Sequence, residues 1–236
     1  NVLRLVYLNS YFEAGIKSPL DDAVLKHKPV SVAEYAKVDE IPFDFSRRRL
    51  SVVVRRGDEH LLITKGEAES VFAVCRSVIV NGAPQPFDTA QREQAAQTFQ
   101  KLSAEGFRTL GVATRTVNPQ AAYTAAAETE MTLAGFAAFF DPPKEGVLAV
   151  LEGLRQNGIS VVIMTGDNQY VTKKVACDVG LAVDRILIGN DIERMDDAAL
   201  AYQAEHGAIF ARVSPEQKNR IILALKARGH VVGYIG

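Results

Sequence analysis

"VVIMTGDNQYVTKKVACDVGL", residues 161–181, is the stretch on which the fold of this chain turns. A β-branched and apolar run, 161–164, stops abruptly at Thr165, Gly166 and Asp167. A helical pattern follows, with Val171, Val175 and Val179 four residues apart. In open α/β sheets ligands sit beyond the carboxyl ends of the strands. A threonine hydroxyl and the N–H groups that open the next helix can donate to phosphate oxygens there. Gly166 would let a ligand approach the backbone closely. The same three residues also make a good turn and helix cap, so the stretch by itself leaves both readings open.

Working outward, the second half alternates strand and helix. A strand-like 133–140 leads into "DPPKEGVLAVLEGLRQNG" (141–158), read as a proline-started helix ended by Gly158. Strands are predicted at 159–164, 185–188, 208–211 and 231–235, with helices at 168–179, 196–205 and 214–228. That rhythm predicts a doubly wound parallel sheet. The first half is mixed. Helical periodicity covers 2–14 and 19–27, and successive strands are predicted at 37–45, 50–56 and 60–66, with a hairpin turn at 56–59. Residues 67–78 read as helix, 80–87 as loop, 88–105 as a long helix and 108–117 as a strand. This order predicts an α+β domain with a mainly antiparallel sheet. The expected division is 1–131 and 132–236, and the alanine-rich 117–130 reads as a surface helix or linker.

The chain has 236 residues, 47% hydrophobic and 23% charged, enough for one large domain or two smaller ones. A net charge of -1 offers no electrostatic footprint for nucleic acid. Both cysteines, Cys75 and Cys177, fall in apolar helix-like stretches and are expected to be buried and reduced. The four histidines lack metal-ligand spacing, so no zinc site is assigned. No apolar run reaches the roughly 18 residues that a membrane helix needs. The absence of an initial methionine and the strand-like "HVVGYIG" at the end suggest a piece of a longer protein.

Other stretches carry candidate chemistry. "FARVSPEQKNRIILAL" (210–225) places Lys218 one turn into a helix beginning at Ser214 and Pro215, where its charge could neutralise a transferring phosphoryl group. "PFDFSRRRLSVVV" (42–54) sets Phe45 beside Arg47 and Arg49. The ring could stack on a base and the arginines could meet phosphates, or Phe45 could be a core residue beside a basic strand. "ITKGEAESV" (63–71) ends a strand with Lys65 and Gly66, and "GFRTLGVATR" (106–115) supplies Arg108.

Taken together, "SPLDDAVL", "FDFSRRRLSVVV", "TKGE", "FRTLGVATR", "DPPK", "MTGDN" and "ARVSPEQK" occur in the order found in P-type ATPases. The chain resembles the cytoplasmic nucleotide-binding and phosphorylation domains of that family over nearly its whole length. "IPFDFSRRRLSVVV" and "GHVVGYIG" are most similar to the bacterial magnesium-transporting branch. The resemblance implies that Phe45 stacks on the adenine of ATP, with Lys65 and Gly66 at the base of the pocket and Asp21 near the adenine. Arg47 and Arg108 would face the phosphates. The family usually follows its Lys-Gly pair with alanine, where this chain has Glu67. In a haloacid-dehalogenase-like second domain, Thr165 and Gly166 would hold the transferred phosphoryl group and Asp167 would maintain the loop. Lys218 would neutralise charge, while Asp141 and Arg212 would lie on the ATP side.

The implied cofactors are ATP and Mg2+. The implied partners are the transmembrane and actuator domains of the same polypeptide and a transported divalent cation not bound by this fragment, at the cytoplasmic face of the bacterial inner membrane. The family's nucleophilic aspartate sits in an Asp-Lys-Thr-Gly-Thr segment that these residues lack, and it is expected upstream of Asn1. The magnesium-binding Gly-Asp-Gly-x-Asn-Asp segment is expected to start at Gly236. This chain alone is therefore expected to bind ATP without turning it over. Two alternatives are a haloacid-dehalogenase-type phosphatase with a large cap and a non-catalytic nucleotide-binding module.

Overall fold

The structure is a computed structural model that describes residues 2–15 and 17–235; Asn1, upstream of which the nucleophile segment is expected, and Gly236, at which the magnesium-binding segment is expected to start, lie outside the described residues. The chain divides into two units, Asn1–Leu102 with Thr109–Phe139, and Ser103–Arg108 with Phe140–Gly236.

The first unit is built on a seven-stranded sheet. Its strands are β1 (Ala36–Asp44), β2 (Arg49–Arg56), β3 (Glu59–Glu67), β4 (Cys75–Val80), β5 (Ala83–Pro86), β6 (Phe107–Val117) and β7 (Met131–Phe140), in the order β1-β2-β3-β6-β7-β4-β5. The pairs β1–β2, β2–β3, β3–β6 and β4–β5 are antiparallel, while β4–β7 is parallel, so the sheet is mixed and mainly antiparallel as the sequence predicts. Alternation along the strands explains why the central ones read as unbroken apolar runs. Leu50, Val52 and Val54 pack with Ile63 and Val112 beneath α1 (Val2–Phe12) and α2 (Pro19–His27). Val53, Leu62 and Ala113 pack on the other face with residues of α3 (Ala68–Val74) and α4 (Thr89–Ala104). Both faces are covered, so both phases of the alternation are apolar. The strand β7 pairs into this sheet, and the first unit extends to Phe139, past the expected division at 131.

Two sequence expectations fail here for a local reason. Residues 67–78 are not one helix, because α3 ends at Val74 and Cys75 begins β4, which pairs with Met131 of β7. The expected loop at 80–87 contains a hairpin closed by Asn81 (φ 51°) and Gly82 (φ 83°). Asn-Gly with both residues left-handed is the tight turn whose twist matches paired strands.

In the second unit, β8 (Ile186–Ile188) and β9 (Ile209–Ala211) form a parallel pair, extended by a single bridge from Met164 to Phe210. The helices are α5 (Val147–Gln156), α6 (Gln169–Asp178), α7 (Gly189–Glu193), α8 (Asp197–Glu205) and α9 (Pro215–Ala227). Phe210, fully buried, packs with Leu200 and Ile221 at the centre of this core. The strands predicted at 159–164 and 231–235 are not formed beyond that bridge; Ile159 is 51% and Val231 103% exposed. Apolar alternation makes a strand only where a neighbour completes the ladder. The prolines at 142 and 143 do not start α5, which begins after Gly146 in the left-handed region. Cys75 is buried as expected, but Cys177 is exposed on α6. Among the described residues no helix is long and apolar enough to cross a membrane.

Candidate functional site

The turn between β1 and β2 is held from within. Asp44 Oδ1 accepts from the backbone N–H groups of Ser46 and Arg47, both at 2.9 Å, and from the Ser46 hydroxyl. That Ser46 hydrogen bond, followed by the Arg47 N–H, holds the Asp44 carboxyl below the usual aspartate range. Arg48 takes a left-handed φ of 49° to close the turn. The consequence is that Phe45 points outward and is 73% exposed, with Phe43 edge-on at 5.3 Å. Phe45 is not a core residue.

Beside this turn lies the end of β3. Arg49 pairs with Gly66 and Leu50 with Lys65, and the Glu67 N–H donates to Arg48 O at 2.9 Å. A Cβ on Gly66 would fall 2.5 Å from both Arg48 O and Arg49 Cβ, so the close approach of the two strands requires glycine. Lys65 is only 7% exposed. Its ammonium donates to Asp21, to Glu13 Oε2 at 2.9 Å and to Ser10 Oγ at 3.1 Å. Asp21 in turn accepts from Ser18 N–H (2.9 Å), Ser18 Oγ (2.6 Å) and Ser10 Oγ (2.7 Å), the first as part of the capping box of α2. Burial alone would raise the Asp21 carboxyl, but the hydrogen bonds from Lys65 and Ser18, the Lys65 charge and Ser10 outweigh it and lower the pKa. The structure thus brings Asp21 and Lys65 together. It adds Ser10 and Glu13, which sequence reasoning missed because the pattern of α1 was followed through its apolar positions alone.

The arginines of the turn have partners that the sequence did not show. Arg47 Nη1 donates to both carboxylate oxygens of Glu128, at 2.8 and 2.7 Å, and Arg49 Nε donates to Glu128 Oε2 at 2.7 Å. Glu128 is 1% exposed and comes from the alanine-rich stretch expected to be a surface helix or linker. Only a short 3-10 turn, Ala125–Ala127, forms there. Arg48 has a half-open side chain and reaches Glu67 Oε2 at 3.2 Å.

In the second unit the loop at 165–168 is docked on β9. Thr165 N–H donates to Phe210 O (2.9 Å), Val213 N–H to Thr165 O (3.1 Å) and Arg212 N–H to Asp167 O (2.9 Å). The Thr165 hydroxyl donates to Asp167 Oδ2 at 3.0 Å and accepts from the Asp167 N–H at 3.1 Å. Asn168 caps α6 by accepting from Tyr170 and Val171. A Cβ on Gly166 would meet no atom within 4 Å, so internal packing does not demand this glycine and its open side is free for a ligand. Ser214 and Gln217 form the capping box of α9, which sets half-buried Lys218 in its first turn. Thr165, Asp167, Arg212 and the start of Lys218's helix therefore converge. Arg108, at the start of β6 and belonging with the second unit, lies 2.9 Å from Asp167 Oδ1. Asp141 is exposed in the loop before α5. Among the described residues no group of three or more acids, histidines or cysteines could hold a metal ion.

The seven-stranded sheet, with its exposed aromatic turn beside a buried lysine, lies within the residues that a family comparison matches. Residues 9–146 match the P-type ATPase cytoplasmic domain N, and the chain belongs to that family. Its whole length is 40% identical, over 242 residues, to the magnesium-transporting ATPase, P-type 1, of Escherichia coli (strain K12). It is 38% identical over 248 residues to a protein of the same name from Salmonella typhimurium (strain LT2). Calcium-transporting ATPase 1 of Bacillus cereus is 29% identical over 204 residues, 86% of this chain and 23% of that protein. The chain spans 27% of the length of the magnesium-transporting relatives.

Proposed function

We propose that this chain is the ATP-binding and phosphoryl-transfer portion of an ATP-driven cation pump at the cytoplasmic face of a bacterial inner membrane, the cation being magnesium. The observation that carries the reading is the shared end of the first sheet, where a turn holds Phe45 out in solvent beside the strand end bearing Lys65 and Gly66. A solvent-facing ring on a rigid turn is a platform for a nucleobase, and every base offers a π-face to it. Lys65 and Asp21 form the floor, their charges balanced against each other before any nucleotide arrives. Gly66 admits the close strand approach that keeps this floor level with the turn.

The second unit, read as a haloacid-dehalogenase-like phosphorylation domain, contributes the phosphoryl cradle. The Thr165 hydroxyl, turned from Asp167 Oδ2, and the open backbone at Gly166 donate to the transferred group, the Asp167 N–H bond to Thr165 Oγ1 keeps the loop fixed, and Lys218 offsets developing negative charge. Mg2+ bound with ATP would supply further charge neutralisation. The acceptor aspartate, the actuator and the transmembrane domains are assigned to other parts of the polypeptide.

Calorimetric titration of ATP into this chain, with phosphate release followed in the same samples, tests the reading. Phe45→Ala is expected to weaken binding by about 1–3 kcal/mol, the range for base–aromatic stacking. Binding indifferent to Phe45 undoes the pocket, and sustained phosphate release undoes the placement of the acceptor elsewhere.

A further inference from the structure

Glu128 is an acid for which the proposed function has no use, and it is among the most completely buried charged groups of the chain at 1% exposure. Four hydrogen bonds converge on its carboxylate: two from Arg47 Nη1, one from Arg49 Nε and one from Ser51 Oγ at 2.7 Å. Ser51 Oγ also shares a hydrogen bond with Thr64 Oγ1 at 2.7 Å, which ties the cluster to β3. A buried carboxylate is tolerated only when its acceptor capacity is met in this way.

The partners of the two arginines show what the cluster fixes. Arg47 Nη2 donates to Pro42 O at 2.7 Å, on the β1 side of the turn. Arg49 Nη1 donates to Ser70 Oγ at 2.9 Å, and the Ser70 hydroxyl donates to Arg47 O. The four-residue turn holding Phe45 is thus bolted to β1, to α3 and, through Glu128, to the β6–β7 connector. The same contacts turn Arg47 and Arg49 away from solvent, leaving Arg48 as the most exposed guanidinium of the three.

We infer that Glu128 is a positioning residue for the adenine platform: it draws Arg47 and Arg49 inward and so holds the Phe45 ring outward. The inference rests on the nucleotide-pocket reading above. It assigns Arg47 to holding the turn and not to contacting phosphate. A carboxylate that only stabilised the fold would leave the contribution of Phe45 unchanged; one that positions the turn makes that contribution depend on it.

The test is a double-mutant cycle on nucleotide affinity, with ATP and adenosine titrated into the parent chain, Phe45→Ala, Glu128→Gln and the double variant. Glu128→Gln is expected to weaken ATP and adenosine by the same factor, about tenfold, because the platform and not the phosphate contact is lost. Phe45→Ala is expected to cost about tenfold in the parent and less than about twofold in the Glu128→Gln background. Equal Phe45 factors in both backgrounds, or parent-like affinity of Glu128→Gln, overturn the role of Glu128 while leaving the pocket intact. A parent chain that binds no nucleotide, or binds it without regard to Phe45, overturns the pocket and this inference with it. Should Glu128→Gln fail to fold, Glu128→Asp keeps the charge and shortens the reach. The chain contains no tryptophan, so Phe45→Trp provides a single reporter. Its time-resolved anisotropy is expected to show added local motion with Glu128→Asp, and unchanged motion overturns the inference.

Discussion

Replacing Lys65 by methionine removes the ammonium while keeping a long unbranched side chain in its slot. In the parent that ammonium is shared by Asp21, Glu13 and Ser10. Asp21 is 3% exposed and the Glu13 side chain 10%, so the variant leaves two sheltered carboxylates that had one cation between them. Removing one partner of a buried pair costs about 3–5 kcal/mol. Asp21 keeps its three hydrogen bonds from Ser18 and Ser10. The low end, about 3 kcal/mol, is therefore expected, a large share of the about 5–15 kcal/mol that holds a domain folded. In urea unfolding followed by far-UV circular dichroism, a slope near 2 kcal/mol/M places the midpoint about 1.5 M lower.

The pH dependence carries the sign of the argument. In the parent, the folded Asp21 pKa lies below 3.8, so its stabilising contribution is present above the unfolded value and is lost as pH falls through the folded one. In Lys65→Met the unpaired carboxyl is raised by burial, so the deficit is present at neutral pH and is relieved as pH falls through the raised value. Adding Asp21→Asn to Lys65→Met is expected to restore about half of the loss by removing the orphaned charge. A loss under about 1 kcal/mol, equal at neutral and mildly acidic pH, would refute the view of Lys65 as the counter-ion of a buried acid pair.

Other expectations are more local. Gly66→Ala places a methyl 2.5 Å from Arg48 O and Arg49 Cβ, so β2 or β3 must shift. A loss of about 2–3 kcal/mol in thermal or urea unfolding is expected, and a cost under about 0.5 kcal/mol would mean that the strands are not so close. Burial pushes the Cys75 thiol up to about 12, against the opposing charges of Arg92 and Arg49, whereas Cys177 is exposed. An aromatic disulfide reagent is therefore expected to modify Cys177 alone in the native chain and both thiols in urea; rapid modification of Cys75 would contradict its burial.

Periodicity and turn residues were enough to place the main elements of this chain. The apolar runs of β2, β3 and β6, Pro19 and Pro215 at helix starts, and the break at Thr165 and Gly166 are all local signals, because strand alternation, helix caps and sharp turns depend on neighbours within a few residues. The Asn81-Gly82 turn is a local signal of the same kind, although the residues before it carry helical spacing. The family motifs carried Phe45, Lys65, Asp21, Thr165 and Lys218 for the same reason: each sits in a short, ordered segment.

Partnership across the fold was a different matter. Glu128 reaches Arg47 81 residues away, and Glu13 reaches Lys65 across 52. A charged residue in a polar or alanine-rich stretch looks solvated until another element covers it, so burial and pairing are properties of the assembled sheet. The segments 159–164 and 231–235 show the converse, since their apolar pattern is strand-like but, among the described residues, neither gains a full ladder. The sequence by itself determined which segments could be helix, strand or turn and which family they resemble. The tertiary structure alone decided which charges face each other, because the cost of burying a charge is met only by a partner that the fold brings from elsewhere in the chain.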